Sequence, residues 1–330
     1  MINDPLVSIL IPTYNREKFI EETLLCAINQ TYENIEIIVV DNRSTDQTAN
    51  IVKSYTIKNP KLKLYINENN IGPINNWKKC LELSNGDFIK FLFSDDKMTM
   101  DSVEKLLFPM LEDQQIGFSF SSVQMIDENG KFIEDAYIQK KTGNYPSDVF
   151  LYGNLSGALS LPVSPGCALF RRENVVKAMG RDWDNINIKC FNNGFGPDLF
   201  IFLIACVEYG RFHYIKEPLS YFRSHSESIS ILSQRIDLSL GRRCYRYSYS
   251  LLLKEKISLL LSRRIKTMLL IVTLFSRNYF ENSKLNQYKK MVFPEKPFKN
   301  INLLDLKIWQ YIIKRYFRLI SLSVSKWFLN

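Results

Sequence analysis

Two adjacent acids, Asp95 and Asp96, follow the apolar run Phe88–Phe93 after a single serine. Such a run predicts a buried strand, and in an open α/β sheet the ligand crevice forms beyond the carboxyl ends of the strands. Paired carboxylates at that edge provide oxygen ligands for a divalent cation that binds a polyphosphate. The alternative is that one acid caps the helix predicted to begin near Thr99, since Asp is a favoured N-cap residue.

A third acid, Asp41, follows a second predicted strand, Ile35–Val40. The first strand, Leu6–Ile11, also ends in polar turn residues, and each of these strands precedes a predicted helix. Alternating strands and helices imply a parallel sheet with right-handed crossovers, so Asp41 and the acid pair are expected to converge at one edge. The alternative for Asp41 is an ordinary turn aspartate.

Glycine-rich phosphate loops are missing from the sequence. No G-x-G-x-x-G follows the first predicted strand, and no G-x-x-x-x-G-K-[ST] occurs anywhere. This pattern favours neither a dinucleotide-binding fold nor a P-loop. A phosphate site built from carboxylates requires a bridging cation, normally Mg²⁺ or Mn²⁺.

The net charge of +9 over 330 residues is unevenly distributed. Residues 1–234 contain 23 Lys and Arg against 29 Asp and Glu, a balance of −6, whereas residues 235–330 contain 20 against 5, a balance of +15. The basic charge therefore belongs to the C-terminal segment. It argues against a nucleic-acid groove across the main domain and for an anionic surface that the C-terminal segment meets.

The six cysteines are scattered without C-x-x-C spacing, and no signal peptide precedes Leu6. Reduced thiols in a cytoplasmic protein are the expected arrangement. No apolar run reaches the roughly 18 residues that a membrane span requires.

The middle of the chain predicts a helix to about Glu112, a strand over 117–125 and a hairpin at 127–130. Gly, Ser and Pro punctuate residues 140–165, which predicts a long functional loop. Two short strands are predicted at 212–215 and 219–222.

Two amphipathic helical regions are predicted in the basic C-terminal segment, Arg242–Leu274 and Leu303–Phe328. A basic surface opposite a Trp-bearing apolar face suits a helix lying in the plane of an anionic membrane. The alternative is a helix packed on the catalytic domain or on another subunit. In the second region the predicted apolar face comprises Leu306, Trp309, Ile313, Tyr316, Phe317, Ile320, Val324 and Trp327, and the basic face comprises Lys307, Lys314, Arg315, Arg318 and Lys326.

Ordered motifs over residues 5–230 resemble those of the family 2 glycosyltransferases of the GT-A fold, of the kind that builds bacterial surface polysaccharides. The motifs are Ser8–Asn15 (SILIPTYN), Val39–Asp46 (VVDNRSTD), Gly86–Ile89 (GDFI), Phe93–Asp96 (FSDD), Gly196–Asp198 (GPD) and Tyr221–His225 (YFRSH). The resemblance implies a mixed, mostly parallel, Rossmann-like α/β sheet flanked by helices, with a helical C-terminal extension.

The resemblance implies a role for each nucleotide-side residue. Pro12, Thr13 and Tyr14 would flank the base, and Asp41 would hydrogen-bond the base or the ribose. Asp95 would contact the nucleotide sugar. Asp96 matches the last acid of the family's D-x-D-like motif and would bind Mn²⁺ or Mg²⁺ on the diphosphate.

The resemblance also implies a catalytic base, Asp198, which would deprotonate the acceptor hydroxyl. Pro197 replaces the Glu that usually precedes this acid. An acid in the first turn of a helix also stabilises the helix dipole, which is the alternative reading.

His225 can complete the metal or diphosphate site in this resemblance, with Arg223 as a further diphosphate contact. His213 alternates within a predicted strand and is read as structural. Asn75-Asn76-Trp77 departs from the commoner family pattern, which leaves donor selectivity open.

Together these observations predict a GT-A catalytic domain over 1–230, with a nucleotide-sugar half (about 1–97) and an acceptor half (about 98–230), and a basic helical region over 231–330. The predicted activity is inverting, metal-dependent transfer from a nucleotide sugar, UDP-linked, to a glycan or lipid-linked acceptor. The protein would lie on the cytoplasmic face of the cell membrane, with a homo-oligomer left open. A catalytically inactive sugar- or membrane-binding scaffold and a nucleotidyltransferase are the alternatives.

Overall fold

The computed structural model describes residues 4–181, 196–226, 228, 245, 248–249, 251–253, 255, 257–275 and 305–314. The N-terminal half alternates strands and helices, as the apolar runs predict. Its elements are β1 (Val7–Thr13), α1 (Ile20–Ile28), β2 (Ile35–Asp41), α2 (Thr48–Thr56), β3 (Leu62–Ile66), α3 (Pro73–Glu82) and β4 (Phe88–Phe91).

The second half begins with a short strand and a long helix, and its helices then pack beside a more mixed set of strands. These elements are β5 (Lys97–Met98), α4 (Ser102–Glu112), β6 (Ile116–Ile126), β7 (Phe132–Ala136), β8 (Gly143–Pro146), α5 (Ser147–Ser156), a 3-10 turn (Pro165–Cys167), β9 (Ala168–Arg171), α6 (Arg172–Met179), α7 (Pro197–Glu208), β10 (Arg211–Arg223), α8 (Leu259–Phe275) and α9 (306–314).

One sheet organises these elements, in the strand order β3-β2-β1-β4-β9-β6-β10-β5, with β7 on β6 and β8 on β10. Strands β1, β2, β3, β4, β6 and β10 run in the same direction, and β9 lies antiparallel between β4 and β6. The predicted mixed, mostly parallel sheet is confirmed.

Alternate side chains of β1 pack on opposite faces of this sheet. Ile9 and Ile11 belong to one buried cluster with α1, α2 and α4, and Leu10 belongs to the other with α3, α5, α6 and α7. A strand that is apolar on both faces is typical of a parallel sheet covered by helices on both sides. The carboxyl ends of β1, β2 and β4 therefore open at one edge between two helical layers.

The prediction of a long loop over residues 140–165 is wrong, because this segment contains β8 and α5. Helix α5 buries Phe150, Leu151 and Tyr152 in the core. Pro146 immediately precedes the helix, and Gly157 follows it with a φ of 70°. The Gly and Pro residues that suggested a loop thus mark the two ends of a helix, where these residue types are favoured.

The two short strands predicted at 212–215 and 219–222 form a single strand, β10. Its pairing with β6 changes register around Pro218. Proline lacks a backbone N–H and is tolerated in a sheet at such irregularities. The bulge lets one strand continue to Arg223, which places the residues that follow it beside the acid pair.

The C-terminal segment packs on the catalytic core in the part that the structure describes. Ile265, Met268, Ile308 and Tyr311 join the buried cluster that contains α5. The Tyr311 ring meets Tyr152 edge to face, with centroids 5.7 Å apart. Helix α9 is held by ion pairs of Arg264 with Asp305 and of Lys307 with Asp148.

The predicted apolar face of α9 points away from the catalytic domain. Its described residues Leu306, Trp309 and Ile313 are exposed. In the described part, one side of α9 packs on the catalytic domain, as the alternative reading predicts. The membrane-surface reading stays a prediction. Lys314 lies over the Tyr311 ring. Tyr316, Phe317, Ile320, Val324, Trp327, Arg315, Arg318 and Lys326 lie outside the described residues, as does most of 242–256.

Candidate active site

The acid pair lies just beyond the carboxyl end of β4, and the Asp96 side chain is buried. Helix α4 begins at Ser102 and follows Asp101. Neither acid caps this helix, so the capping alternative is not realised. The pair is placed where an open α/β sheet binds its ligand.

Asp95 is held by two basic side chains. Its Oδ2 lies 3.2 Å from Arg16 Nε and 3.0 Å from His225 Nε2. Burial raises the pKa of Asp95, but the His225 hydrogen bond and the Arg16 charge outweigh it and lower the pKa below its ordinary value. Asp95 is thus the acid of the pair that is stabilised as a carboxylate.

Asp96 is bound through its backbone and through one oxygen. The backbone N–H of Arg223 donates to Asp96 Oδ1 at 2.8 Å, and Thr23 Oγ1 donates to the Asp96 carbonyl at 2.8 Å. Burial, followed by the neighbouring charge of Asp95, raises the pKa of Asp96 well above its ordinary value. Oδ2 receives no hydrogen bond from a described residue, so Asp96 keeps one oxygen for a ligand.

Arg223 holds the segment that carries the acid pair through hydrogen bonds of its guanidinium. Its Nε donates to the Asp95 carbonyl at 2.9 Å, its Nη1 to the Glu128 carbonyl at 2.8 Å, and its Nη2 to Glu22 Oε2 at 2.7 Å. The guanidinium also lies over the Phe19 ring. Because all three guanidinium nitrogens are engaged, the structure gives Arg223 a positioning role, and its predicted diphosphate contact stays a prediction.

Lys90 is fully buried in β4, beneath the acid pair. Its Nζ donates to the carbonyls of Phe91 and Gly166. Burial lowers the pKa of Lys90 to about 8, and the neighbouring Cys167 and Asp96 partly offset this lowering. The Lys90 ammonium thus links two segments. One is β4, which precedes the acid pair, and the other is the 3-10 turn before β9.

The nucleotide-side residues lie at the carboxyl ends of the paired strands β1 and β2, with Tyr14 directly after β1. Thr13 pairs with Asp41 across β1 and β2, and Thr13 Oγ1 is buried without a hydrogen-bond partner in the described structure. Asp41 accepts hydrogen bonds from the backbone N–H and the hydroxyl of Ser44 at 2.8 and 2.5 Å. Pro12 is buried and Tyr14 is exposed. Asp41 thus closes its turn, while the orphaned Thr13 hydroxyl marks a place where a ligand can bond.

Asp198 lies in the first turn of α7 and is buried. Its Oδ1 accepts the backbone N–H groups of Gly196 and Leu199 at 2.7 and 2.6 Å. Burial raises the pKa of Asp198 to about 8 in spite of these hydrogen bonds. Asp198 therefore does stabilise the start of α7. Its other oxygen, Oδ2, receives no hydrogen bond from a described residue. A carboxyl group with this pKa suits a general base.

The structure brings Asp95, Asp96, His225 and Arg223 together. No group of three or more His, Cys, Asp or Glu side chains in the described ranges could enclose a metal ion. Mg²⁺ and Mn²⁺ sites commonly use one or two carboxylates and complete their coordination with substrate phosphates and water. The free Asp96 oxygen fits such a cation, whose charge would offset the repulsion between the acids. His225 is bonded to Asp95 instead, so its predicted metal ligation stays a prediction.

The sequence analysis overlooked three charged residues around the acid pair. Arg16 follows the first predicted strand in the same loop as Tyr14, and Lys90 interrupts an apolar run, so both positions carried a signal. Glu22, which pairs with Arg223 and Lys97, carries none, because an acid on a helix is usually solvated.

Solved structures with the same fold include the S. aureus TarS fragment 1–349 in complex with UDP-GlcNAc, with a TM-score of 0.61 and 18% identity over 86% of this chain and 79% of that chain. The mannosyltransferase PcManGT of Pyrobaculum calidifontis, in complex with GDP-Man and Mn²⁺, matches with a TM-score of 0.50 and 16% identity over 95% of this chain and 86% of that one. The fold and the acid pair at its sheet edge define a protein of the GT-A class.

The family model "Glycosyl transferase family 2" matches residues 8–177. The chain belongs to this family. It is 38% identical over 115 residues to an uncharacterized glycosyltransferase of Haemophilus influenzae, and 35% identical over 126 residues to TuaG of Bacillus subtilis, named for teichuronic acid biosynthesis. These matches cover 35% and 38% of this chain, and 46% and 50% of the two relatives, so the chain spans half or less of their length.

Proposed function

We propose that this protein is an inverting, metal-dependent glycosyltransferase that moves a sugar from a UDP-sugar to a glycan or lipid-linked acceptor in surface polysaccharide biosynthesis. The observation that carries the proposal is that two buried acids, Asp96 and Asp198, each have one oxygen hydrogen-bonded within the fold while the other receives no hydrogen bond from a described residue. Asp96 suits a cation bound to the donor diphosphate, and Asp198 suits the acceptor hydroxyl.

The proposed reaction is a single displacement at the anomeric carbon. Asp198 Oδ2 takes the proton of the acceptor hydroxyl, whose oxygen bonds to the anomeric carbon. The bond from that carbon to the diphosphate oxygen breaks on the opposite face, and the nucleoside diphosphate leaves with the electron pair. Attack from the opposite face inverts the centre.

The remaining site residues hold the donor. Asp96 would bind Mn²⁺ or Mg²⁺, which supplies Lewis-acid stabilisation of the leaving diphosphate. Asp95, positioned by Arg16 and His225, would contact the nucleotide sugar. Pro12, Thr13, Tyr14 and Asp41 would receive the base and ribose, with the unpartnered Thr13 hydroxyl as one contact.

The choice of substrates rests on the similar proteins. The TarS fragment was solved with UDP-GlcNAc and with UDP, which makes UDP the first nucleotide to test. TuaG is named for teichuronic acid biosynthesis, and a chondroitin synthase of Escherichia coli is 32% identical over 133 residues, which cover 40% of this chain and 19% of that enzyme. These names favour a polysaccharide acceptor.

The direct test is a transfer assay. A panel of UDP- and GDP-sugars with Mn²⁺ is offered together with p-nitrophenyl glycosides as acceptors, and nucleotide release and glycoside product are both measured. We expect product only with Mn²⁺ or Mg²⁺, of inverted anomeric configuration. Nucleotide-sugar binding without product across the panel would favour the inactive scaffold.

We also propose that the C-terminal region binds an anionic membrane surface on the cytoplasmic side. The supporting observations are the balance of +15 over residues 235–330 and the exposed apolar side chains of α9. In the helices that the structure describes, none is long and apolar enough to cross a membrane. A helix lying in the interface needs only an apolar face and basic neighbours.

Replacing Leu306 and Ile313 with Glu is expected to lower binding to phosphatidylglycerol vesicles by about two orders of magnitude, because each apolar side chain contributes roughly 1.5 kcal/mol or more on burial. Sedimentation with vesicles measures this. The matched control is Ile57→Glu/Ile133→Glu: Leu306 and Ile57 are both 83% exposed, and Ile313 and Ile133 are 51% and 50% exposed. Equal losses in both variants would show nonspecific adsorption and refute the membrane proposal.

A further inference from the structure

Arg16 lies in the loop between β1 and α1, and its guanidinium joins that loop to the acid pair. Its Nε lies 3.2 Å from Asp95 Oδ2, and its Nη1 donates to the carbonyls of Tyr14 and Asn15 at 3.4 and 2.9 Å. The third guanidinium nitrogen, Nη2, donates to no residue in the described ranges. Arg16 therefore has a guanidinium that is fixed at two nitrogens and can bind a ligand through the third.

The loop that carries Arg16 is also bonded to the loop that follows β2. The Ser44 hydroxyl accepts the backbone N–H of Asn15 at 2.9 Å and donates to Asp41 Oδ2 at 2.5 Å. The backbone N–H of Arg16 donates to Thr48 Oγ1 at 2.7 Å, at the start of α2. Hydrogen bonds therefore run from Asp41 to Arg16 and hold the guanidinium at a fixed distance from the proposed ribose contact.

Arg16 is thus connected to both ends of the proposed donor site. Tyr14 and Asp41 lie at the end proposed for the base and ribose, and Asp96, next to Asp95, lies at the end proposed for the cation. The diphosphate of a nucleotide sugar joins the ribose to the sugar and also binds the cation. It therefore has to pass between these two ends, where the Arg16 side chain lies.

Arg223 is the other arginine that bonds to the acid pair in the part of the chain that the structure describes. Its Nε, Nη1 and Nη2 all donate to protein acceptors, and its side chain is 2% exposed. The Arg16 side chain is 15% exposed and has one nitrogen without a described acceptor. A planar guanidinium can hold a carboxylate with one nitrogen and a phosphate oxygen with another. Of the two arginines, Arg16 is the one that can do both.

We infer that Arg16 binds the donor diphosphate through Nη2 while its Nε holds Asp95. This inference rests on the proposed function. The positive charge of Arg16 offsets the negative charge of a diphosphate that lies beside two carboxylates. Because the guanidinium is already fixed by Asp95 and by its own loop, it needs no rearrangement to stabilise the leaving group.

The variant Arg16→Gln tests this, because it removes the guanidinium and keeps a polar side chain. We expect the Kd for UDP with Mn²⁺ to rise about 10- to 100-fold, the effect of one lost hydrogen bond to a charged group, as measured by isothermal titration calorimetry. The Kd for uridine, measured by ligand-observed NMR, should change little because uridine has no phosphate. The control Arg211→Gln removes the ion pair of Arg211 with Asp113 at the start of β10, on the opposite edge of the sheet, and should leave both values unchanged.

A double variant separates a direct contact from an effect through Asp95. Asp95→Asn removes the charge that Arg16 Nε holds, and adding Arg16→Gln to it should still weaken UDP binding. No further loss in the double variant would overturn the inference, because Arg16 would then act only by positioning Asp95. An equal loss of UDP and uridine binding in Arg16→Gln would also overturn it, since the loop itself would have changed. A wild type that does not bind UDP with Mn²⁺ would contradict the proposed function as well.

Discussion

Asp198→Asn is expected to lower kcat for sugar transfer by about 10²–10⁴-fold, the usual contribution of a general base. Asparagine keeps an oxygen that can accept the N–H groups of Gly196 and Leu199, so the start of α7 is preserved. Donor binding should be unchanged, as measured by the thermal shift with UDP and Mn²⁺. Glu104→Gln, in the first turn of α4, is the matched control and should retain full activity.

The raised pKa of Asp198, about 8, makes the same variant informative about pH. Because the base must be ionised, wild-type kcat/KM should rise as the pH increases through about 8. Ionisation inside the fold is unfavourable, so the contribution of Asp198 to stability is fully present below its unfolded pKa of roughly 4 and is lost as the pH rises through about 8. Asp198→Asn should therefore melt at a higher temperature than the wild type at pH 9. Retained turnover in this variant would remove Asp198 as the base.

Asp96→Asn is expected to abolish the Mn²⁺-dependent part of the thermal stabilisation by UDP. The amide oxygen can still accept the Arg223 N–H, but the variant lacks the carboxylate charge that a cation requires. A ligand present at 100 times its Kd stabilises by about 2.7 kcal/mol, which corresponds to a shift of roughly 5 °C, and this shift should disappear.

The control for this experiment is Asp87→Asn, an exposed acid next to the opposite end of β4. It should keep the full stabilisation by UDP with Mn²⁺. Equal shifts in the wild type and in both variants would contradict the placement of the metal at Asp96. A shift that needs no Mn²⁺ in the wild type would contradict metal dependence itself.

Much of the fold was predictable because apolar runs and their spacing determine which segments are strands and which edge they share. The strand before Asp95 and Asp96, and the strand before Asp41, were found in this way. Helix α5 was missed because Pro146 and Gly157 were interpreted as loop residues, whereas they lie at the two ends of the helix. Local sequence does not distinguish these two uses of the same residue types.

The partners of the site residues were not predictable from spacing. Asp95 bonds to Arg16 and His225, which lie 79 and 130 residues away in sequence. Such pairings depend on where the loops of different strands meet and on the burial of each charge. The resemblance implied that His225 can complete the metal or diphosphate site, but spacing alone did not reveal its hydrogen bond to Asp95.

The contacts of Arg223 also have a consequence for the order in which the protein becomes competent. Its backbone N–H holds Asp96 from 127 residues further along the chain, and Asp198 also lies beyond the family-matched segment 8–177. During synthesis the nucleotide-side strands emerge first, but the acid pair lacks the contacts of Arg223 and His225 until β10 has been added and has paired with β6. A nascent or truncated chain that ends before Arg223 therefore has the acids with the Arg16 and Thr23 contacts only, without those of Arg223 and His225.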